Sequence, residues 1–476
     1  MAASPSLFFY DLETSGTDPR KQRIMQFAGQ RTDLDLNLIG EPFNLMVALT
    51  DEVLPDPQAI MITGISPQKT QEEGYSEAEF LRIFQQDICV PGTTMLGFNS
   101  VRFDDEFMRH TLYRNFYDAY EWSWKDGCSR WDLLDVVRMT RALRPDGIKW
   151  PVTPEGAPTN RLELLTKENG LTHEHAHDAL SDVLALIDVA RLIRQKQPKL
   201  YDYLFKMRAK KCVEDLVNPQ NPQPFVYTSG RYPKETLHTT VAFPLSLSNY
   251  PGTIIVYDLR HDPADWADKS VEELRSLRFV KWEDRQKPEY KPFPAKELGC
   301  NKCPAVAPMG TFDAAAQERL GLSLETIEKH KTALIKTGLA QKLQQVFARE
   351  KAERGETDCD GALYDGFIGE GDKTKMRAVR AADRSNIASL KLDFNDNRLA
   401  SLLPRYKARN YPQTLSSEEK FAWEEYRTAR LQADAPGFLK QMQELAKQVS
   451  EEQDDNKAFL LQELQLWFES IMPVDD

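Results

Sequence analysis

The sequence predicts a multidomain protein in which an α/β domain is followed by a small β-rich domain and a helical C-terminal domain. The first observation is length, because 476 residues amount to roughly three ordinary domains. The second is a change in residue pattern along the chain. Short apolar runs alternate with amphipathic stretches in the first part, and the middle part is rich in β-branched residues, aromatics and prolines. The third is the last part, where apolar residues recur at helical spacing. The predicted domains are 7–195, 196–350 and 351–476.

The first domain is predicted to contain a sheet covered by helices. Strands are predicted at 7–12, 23–32, 43–49 and 94–98, and helices at 76–88, 104–116, 131–143, 161–169 and 178–195. Thr159 and Asn160 stand where a cap would begin the fourth helix, and Gly170 stands where it would stop.

The second domain is predicted from segments such as PFVYTSGRY and GTIIVYDLR, which favour antiparallel strands over 219–293. A helix over 323–349 is predicted to close this domain. The charged segment 351–360, which contains Gly355, is predicted to be a linker. Helices are then predicted over 417–432 and 436–472.

Composition excludes several classes of protein. The longest wholly apolar runs span only a few residues, against about 20 for a transmembrane helix, so no membrane association is expected. The N-terminus has no basic segment followed by an apolar stretch, so we expect the cytoplasm, and six scattered cysteines indicate reduced thiols.

The formal charge of -12 argues against nonspecific coating of nucleic acid. Because residues 411–476 hold 14 acids against 6 basic residues, the remainder is near neutral and has room for basic clusters.

The strongest chemical signal is the segment FFYDLETSG at 8–16. In a strand, alternate side chains share a face, so Asp11 and Glu13 project together while Leu12 points into the core. Two adjacent carboxylates repel each other, and a divalent cation compensates them; oxygen ligands favour Mg²⁺ or Mn²⁺ over zinc. Two solvated acids at a strand end are the alternative interpretation of this segment alone.

Two further segments support a metal site. In NSVRFD at 99–104, a strand ends in Asn and a helix begins with an acid. In HDALSD at 177–182, His177 and Asp182 lie five residues apart, about 140° around a regular helix. They cannot share a face within one helix, so His177 is predicted on the entering loop and Asp182 one turn inside the helix. Asp178 is predicted to be the helix N-cap.

These residues together resemble a known superfamily. Asp11, Glu13, Asp104, His177 and Asp182 match, in order and local context, the DnaQ-like exonucleases that carry a histidine in their third motif, the DEDDh group. Over the whole chain, DLETSGTDPR, GFNSVRFDDEFMRH, the three-part layout and the length resemble the bacterial exonuclease I family of single-strand-specific 3′→5′ deoxyribonucleases. The resemblance implies an RNase H-like exonuclease domain with a central mixed sheet, a small SH3-like β-rich domain and a helical C-terminal domain.

The resemblance also implies the chemistry of the site. Asp11, Glu13, Asp104 and Asp182 would hold two Mg²⁺ ions, with Mn²⁺ as the other candidate, and His177 would be the general base. Glu13 would also contact the terminal 3′-hydroxyl, and the neighbouring Thr14 is a further candidate substrate contact. Asp105 is the alternative ligand. Asp104 fits the motif better than Asp105, because Asp104 directly follows Phe103. His173 and His175 are interpreted as loop histidines.

Single-stranded nucleic acid requires cations for its backbone and flat surfaces for its bases. Residues 103–131 contain nine aromatics in 29 positions, with basic residues interleaved. Tyr120 and Trp124 are the stacking candidates. The candidate phosphate contacts are Arg109, Arg138, Arg161 and Lys210.

The predicted function is processive 3′→5′ degradation of single-stranded DNA to 5′-mononucleotides in DNA repair and recombination. The resemblance implies one protein partner, the acidic, apolar C-terminal tail of the single-stranded-DNA-binding protein, with Arg144 as a candidate contact. No heptad seam is present in the sequence, so a monomer is expected. The alternatives are an exoribonuclease with the same chemistry, whose known relatives are much shorter chains, and a non-catalytic module that binds single-stranded DNA.

Overall fold

The computed structural model of the chain describes residues 4–171, 178–285, 287, 290–348 and 357–473. Two compact units are present. Within the described residues, the first unit comprises 4–129, 178–184 and 357–473, and the second comprises 130–171 and the described part of 185–348. No helix in this described part of the chain combines the length and apolar character that a bilayer span requires.

Strands and helices alternate through the first part of the chain and separate later. The strands are β1 (Ser6–Thr14), β2 (Ile24–Thr32), β3 (Leu38–Met46), β4 (Thr93–Gly97), β5 (Ser129–Asp132), β6 (Phe225–Thr228), β7 (Thr239–Leu247), β8 (Thr253–Asp258), β9 (Ala295–Gly299) and β10 (Ala305–Pro308). The helices up to the second sheet are α1 (Pro57–Thr63), α2 (Pro67–Glu73), α3 (Glu77–Ile83), α4 (Asp104–Arg114), α5 (Leu133–Leu143), α6 (Leu162–Glu168), α7 (Ala179–Lys196), α8 (Pro198–Lys206) and α9 (Lys210–Leu216). The later helices are α10 (Ala264–Ala267), α11 (Val271–Arg278), α12 (Trp282–Arg285), α13 (Ala314–Leu320), α14 (Leu324–Lys336), α15 (Leu339–Phe347), α16 (Glu370–Ala381), α17 (Asn397–Asn410), α18 (Ser417–Glu452) and α19 (Asp455–Ile471).

The first sheet is mixed, as predicted, with the order β3-β2-β1-β4-β5. Strand β1 pairs antiparallel with β2 and parallel with β4. Its apolar run Leu7–Tyr10 is buried without interruption because a central strand is covered on both faces. Phe8 and Tyr10 pack with Phe27 and Phe80 in the core beside the sheet. Strand β1 is therefore a rigid support for the residues at its C-terminal end.

The second sheet is antiparallel and has the order β10-β6-β7-β8-β9. Its core contains Phe225, Val256 and Leu298. The single helix predicted over 323–349 is wrong, because the chain forms α14 and α15 with Gly338 between them at φ 66°. Glycine adopts this left-handed conformation without the steric penalty of a side chain, so Gly338 redirects the chain.

The C-terminal helices also differ from the prediction. The break predicted between residues 432 and 436 is wrong, because α18 is one helix of 36 residues that contains Pro436. A proline removes one backbone donor, and the turns around Pro436 are held because Leu431 and Phe438 pack in one core with Trp467. The break lies instead at Gln453, at φ 56°, after which Asp454 caps α19.

The first domain shows smaller differences of the same kind. The helix predicted from Trp131 begins at Leu133, because Ser129–Asp132 forms β5 and the Asp132 side chain accepts a hydrogen bond from the Leu133–Leu143 helix at Leu134 N. Helix α3 passes at Phe84 into a single π-helical turn that ends at Ile88. Trp131, Leu133, Phe84 and Ile88 are buried at these two places.

Part of the predicted linker 351–360 belongs to a core. Residues 349–356 lie outside the described residues, but Asp360 is 1% exposed. Its carboxylate accepts hydrogen bonds from Arg409 Nη1 (2.9 Å) and Nη2 (2.5 Å) and from Tyr426 Oη (3.1 Å). A charge-rich segment predicts a solvated linker only where its charges lack partners, and here two C-terminal helices supply them.

Asp360 is one member of a buried ion network in the first unit. Glu52 Oε1 accepts from Arg409 Nε at 2.9 Å and from Arg23 Nη2 at 3.2 Å. Burial alone would raise the pKa of Glu52, but the positive charges of Arg409, Arg23 and Arg430 outweigh it and lower that pKa to about 2. Arg114 at the end of α4 donates to Glu77 Oε1 at 2.9 Å, and Arg23 lies 3.8 Å from the same oxygen. The network therefore connects the β1–β2 end, α4 and the C-terminal helices.

The network predicts acid-sensitive folding. The pKa of Glu52 is lower in the folded state than in the unfolded state. Its contribution to the free energy of unfolding is therefore complete at pH values above the ordinary pKa of glutamate and is lost as the pH falls toward about 2. Glu52→Gln leaves buried guanidinium groups without their anion, so we expect about 3–5 kcal/mol lower stability at pH 7 and a smaller further loss on acidification. Urea unfolding from pH 7 to pH 2 measures both effects. The exposed Glu451→Gln is the control, and equal behaviour of the two variants would contradict a stabilising network.

Candidate active site

The first part of the site is the C-terminal end of β1. Asp11 and Glu13 are partly exposed, and Leu12 between them is buried, as strand alternation predicts. The pairing of β1 with β2 shifts register between Glu13 and Thr14, so the carboxylates stand where the regular ladder ends. Just beyond, Ser15 N donates to the Arg23 carbonyl (2.9 Å), and this bond fixes the strand end.

The second part of the site is the N-terminal turn of α7. Asp178 accepts a hydrogen bond from Ser181 N at 2.9 Å, which confirms its predicted role as N-cap. Asp182 N donates to the Asp178 carbonyl at 3.0 Å, so Asp182 lies one turn inside the helix, as predicted. His177 lies outside the described residues.

The fold brings three carboxylates together. Single oxygens of Asp11, Glu13 and Asp182 all lie within 4.8 Å of one another. The pKa of Asp11 is raised to about 8, mainly by burial and secondly by repulsion from Asp182. Burial, followed by repulsion from Asp11 and Asp182, raises the pKa of Glu13 to about 9. Such a cluster gains most from a bound divalent cation, which replaces the repulsion with attraction.

The fourth predicted ligand, Asp104, is the first residue of α4 and is buried. Within the described residues, the group of oxygens inside 4.8 Å does not include it. The neighbouring Asp105 accepts a hydrogen bond from Tyr10 Oη at 2.6 Å. Asp105 is therefore engaged with the core strand, and Asp104 as the ligand of this pair stays a prediction.

The predicted stacking residues lie on an exposed segment of the first unit. Tyr120 is 39% exposed and Trp124 is 63% exposed. The guanidinium of Arg109 lies 5.5 Å from the centre of the Tyr120 ring and donates to Glu106 Oε1 at 2.5 Å. Since Arg109 is itself buried, its geometry fits positioning of the Tyr120 ring better than a direct contact with phosphate.

The remaining predicted substrate residues have acidic or backbone partners. Arg161 pairs with Glu163 (2.5 Å), Arg138 with Asp135 (2.7 Å) and Lys210 with Glu214 (3.4 Å). The Arg161 and Lys210 side chains are more than half exposed, whereas that of Arg138 is largely buried. Thr14 is buried, and its hydroxyl donates to the Gly16 carbonyl at 2.8 Å. The charged groups of Arg161 and Lys210 can therefore change partners more easily than that of Arg138, because exposed ion pairs exchange partners at little cost.

Tyr364 is a further residue next to α4 that no sequence pattern indicated. Its hydroxyl donates to Glu106 Oε2 at 2.5 Å, so one carboxylate holds both Tyr364 and Arg109. Tyr364 and Arg20 also line a cleft of about 350 Å³ beside Phe103, the residue before Asp104. The available signal was an aromatic residue in a charged segment, which is too weak to place Tyr364 at α4 without the fold.

The carboxylate cluster predicts a metal-dependent gain in stability. Mg²⁺ at 100 times its Kd adds about 2.7 kcal/mol to the wild type. Asp182→Asn removes one of three repelling carboxylates, so we expect a higher melting temperature without metal and a much smaller increase with Mg²⁺. Thermal unfolding with EDTA or Mg²⁺ measures both. Asp188→Asn, on the same helix in an exposed pair with Arg191, should keep the full increase; an equal increase in Asp182→Asn would exclude this site.

Three family models match consecutive parts of the chain. The model described as Exonuclease matches residues 8–190, the Exonuclease I SH3-like domain matches 208–349, and the Exonuclease I C-terminal domain matches 357–471. The exodeoxyribonuclease I of Haemophilus influenzae is 38% identical over 464 residues, which cover 96% of this chain and 97% of the relative.

Solved structures agree with these matches. The Escherichia coli exonuclease I complex with a dA16 oligonucleotide has a TM-score of 0.94 at 36% identity, covering 98% of this chain and 100% of that chain. A structure described as SSB/Exonuclease I in complex with the inhibitor CFAM has a TM-score of 0.89 at 35% identity, covering 99% and 100%. The predicted architecture of an exonuclease domain, an SH3-like domain and a helical C-terminal domain is confirmed. With all three domains matched in order and the relative aligned along nearly its whole length, this chain belongs to the exonuclease I family.

Proposed function

We propose that this protein degrades single-stranded DNA from its 3′ end to 5′-mononucleotides, processively and in the service of DNA repair and recombination in the cytoplasm. The observation that carries the proposal is the meeting of Asp11, Glu13 and Asp182 within 4.8 Å in a chain of the exonuclease I family. A phosphodiester hydrolase that works through divalent cations requires this kind of donor set, because hard cations prefer carboxylate oxygens.

The chain's own residues account for the main requirements of the reaction. Asp11, Glu13, Asp104 and Asp182 would hold two Mg²⁺ ions, or Mn²⁺, which supply an activated water and stabilise the leaving 3′ oxygen when bound. We assign the general base to His177, which precedes the N-cap of α7 in the sequence. Glu13, partly exposed at the strand end, can also accept a hydrogen bond from the terminal 3′-hydroxyl, which restricts cleavage to chain ends.

The bases of the single-stranded DNA are proposed to stack on Tyr120 and Trp124. Exposed aromatic rings bind unpaired bases without regard to sequence, as a processive exonuclease requires. Glu106 holds Arg109 against the Tyr120 ring, so this surface is ordered before DNA binds. Arg161 and Lys210 are the proposed phosphate contacts, since their side chains are exposed and their acidic partners are exchangeable.

We propose that a monomer of this protein binds the C-terminal tail of a single-stranded-DNA-binding protein through Arg144. Support comes from the related complex described as SSB/Exonuclease I. Arg144 Nη1 pairs with Asp313 at 2.9 Å, with the two side chains 34% and 49% exposed. A terminal carboxylate of an acidic tail can replace the exposed Asp313 carboxylate on this guanidinium.

Cleavage of a 5′-labelled single-stranded DNA tests the proposed activity. With Mg²⁺, we expect shortening from the 3′ end alone, abolished by EDTA and reduced more than about 100-fold in Asp182→Ala, because loss of a direct ligand exceeds the effect of losing a supporting residue. Asp188→Ala on the same helix should retain activity. Matched RNA and blunt duplex DNA are compared in parallel. Preference for RNA would reassign the substrate, and tight binding without shortening would leave only a binding module.

The stacking proposal is tested with Trp124→Ala and Tyr120→Ala. Each ring should contribute about 1–3 kcal/mol per stacked base, so the Kd for labelled single-stranded DNA in EDTA should rise about 5-fold to 150-fold. Phe421→Ala removes another exposed ring, on α18, and is the matched control. Unchanged Kd values in both test variants would remove these rings from the DNA surface.

A further inference from the structure

Two cysteines of the first unit lie side by side next to the proposed stacking segment. Cys89 follows the π-helical turn that ends at Ile88, and Cys128 directly precedes β5. The segments that carry them are adjacent, because Gly92 N donates to the Asp126 carbonyl at 3.0 Å. The Cys128 side chain reaches the backbone next to Cys89, and the Cys89 side chain reaches the segment that precedes Cys128. A pair of neighbouring thiols is what intramolecular disulfide formation requires.

Each thiol also bonds to the segment that carries the other. Cys89 Sγ donates to the Trp122 carbonyl at 3.3 Å. Cys128 Sγ donates to the Val90 carbonyl at 3.5 Å. The two S–H groups therefore join residues 89–90 to the segment that contains Tyr120 and Trp124.

A positive charge is held beside the pair. Arg31 Nη2 donates to the carbonyls of Asp87 (3.1 Å) and Ile88 (2.5 Å), immediately before Cys89. Its guanidinium interacts favourably with negative charge on Cys89 or on Cys128. The neighbouring Cys89 side chain is the main cause that lowers the pKa of Cys128, to about 7, so a thiolate is available near neutral pH.

We propose that Cys89 and Cys128 form a peroxide-sensitive dithiol that closes reversibly to a disulfide. The Cys128 thiolate attacks one oxygen of a hydroperoxide, the O–O bond breaks, and the departing oxygen takes up a proton; Cys128 becomes a sulfenic acid. Cys89 sulfur then attacks the Cys128 sulfur, the S–O bond breaks, and the hydroxide leaves as water with the Cys89 proton. Two thiols lose two electrons, which reduce the hydroperoxide to water and an alcohol, or to two waters from hydrogen peroxide. A thiol reductant reverses the reaction by exchange.

Oxidation has a structural consequence for the neighbouring segment. The disulfide has no S–H donors, so the carbonyls of Trp122 and Val90 lose the bonds that the thiols donate. Segment 120–128 is then held by a covalent link at Cys128 in place of two hydrogen bonds. Resting on the proposed function, we infer that single-stranded DNA binds the oxidised form more weakly, because Tyr120 and Trp124 shift relative to each other.

The thiol chemistry is tested on the full-length protein with hydrogen peroxide. Thiol titration should show the loss of two free thiols, restored by dithiothreitol, and peptide mapping should find a Cys89–Cys128 linkage. Cys89→Ser and Cys128→Ser should each abolish the linkage. Cys359→Ser is the control and should still lose two thiols, because burial raises the pKa of Cys359 to about 12 and keeps it protonated. A linkage between other cysteines, or overoxidation of one cysteine without any linkage, would overturn the proposal.

The effect on DNA is measured separately with labelled single-stranded DNA in EDTA. The oxidised protein should bind about 5-fold or more weakly than the reduced protein, equivalent to one lost stacking contact, and dithiothreitol should restore binding. Equal affinity of the two forms, with the disulfide mapped, would overturn the coupling to the DNA segment. Absence of DNA binding in both forms would instead count against the proposed function, while the thiol titration would still decide the disulfide.

Discussion

The first unit depends on a group of buried opposite charges. Arg23, which bonds through its backbone to Ser15 just beyond the carboxylates of β1, also reaches Glu52, and Arg409 joins Glu52 to Asp360. A buried charge without an opposite charge is costly, so this network is stable only if β1, α4 and the C-terminal helices assemble together. The position of the β1 end that carries Asp11 and Glu13 thus depends on residues about 400 positions away in the sequence.

The candidate active site shows the opposite electrostatic arrangement. Around Glu52 and Asp360, arginines outweigh the effect of burial and lower both carboxylate pKa values. Around Asp11 and Glu13, burial and neighbouring acids act in the same direction and raise both pKa values. One unit therefore contains buried carboxylates whose charge is offset by arginines and carboxylates that repel one another. This difference distinguishes a structural acid from a candidate catalytic acid more clearly than burial does.

Local patterns in the sequence were sufficient for the elements that carry the site. Alternation placed Asp11 and Glu13 together around the buried Leu12, and helix capping placed Asp178 before Asp182. Patterns over a few residues were not sufficient where tertiary packing overrides a local preference. Pro436 is inside α18 because packing holds its flanking turns, whereas the linker-like Asp360 is buried because Arg409 reaches it from 49 residues away.

The same limit explains the surface next to the site. Glu106 and Arg109 are three residues apart on α4, and their pairing is evident from spacing alone. Tyr364 joins them from a different part of the chain, and Arg31 comes to Cys89 and Cys128 because β2 runs beside β1. In each case one member of the group has no local signal, since its partner is specified only by the fold. Residues that tune a site through another side chain are therefore the ones that a sequence shows least.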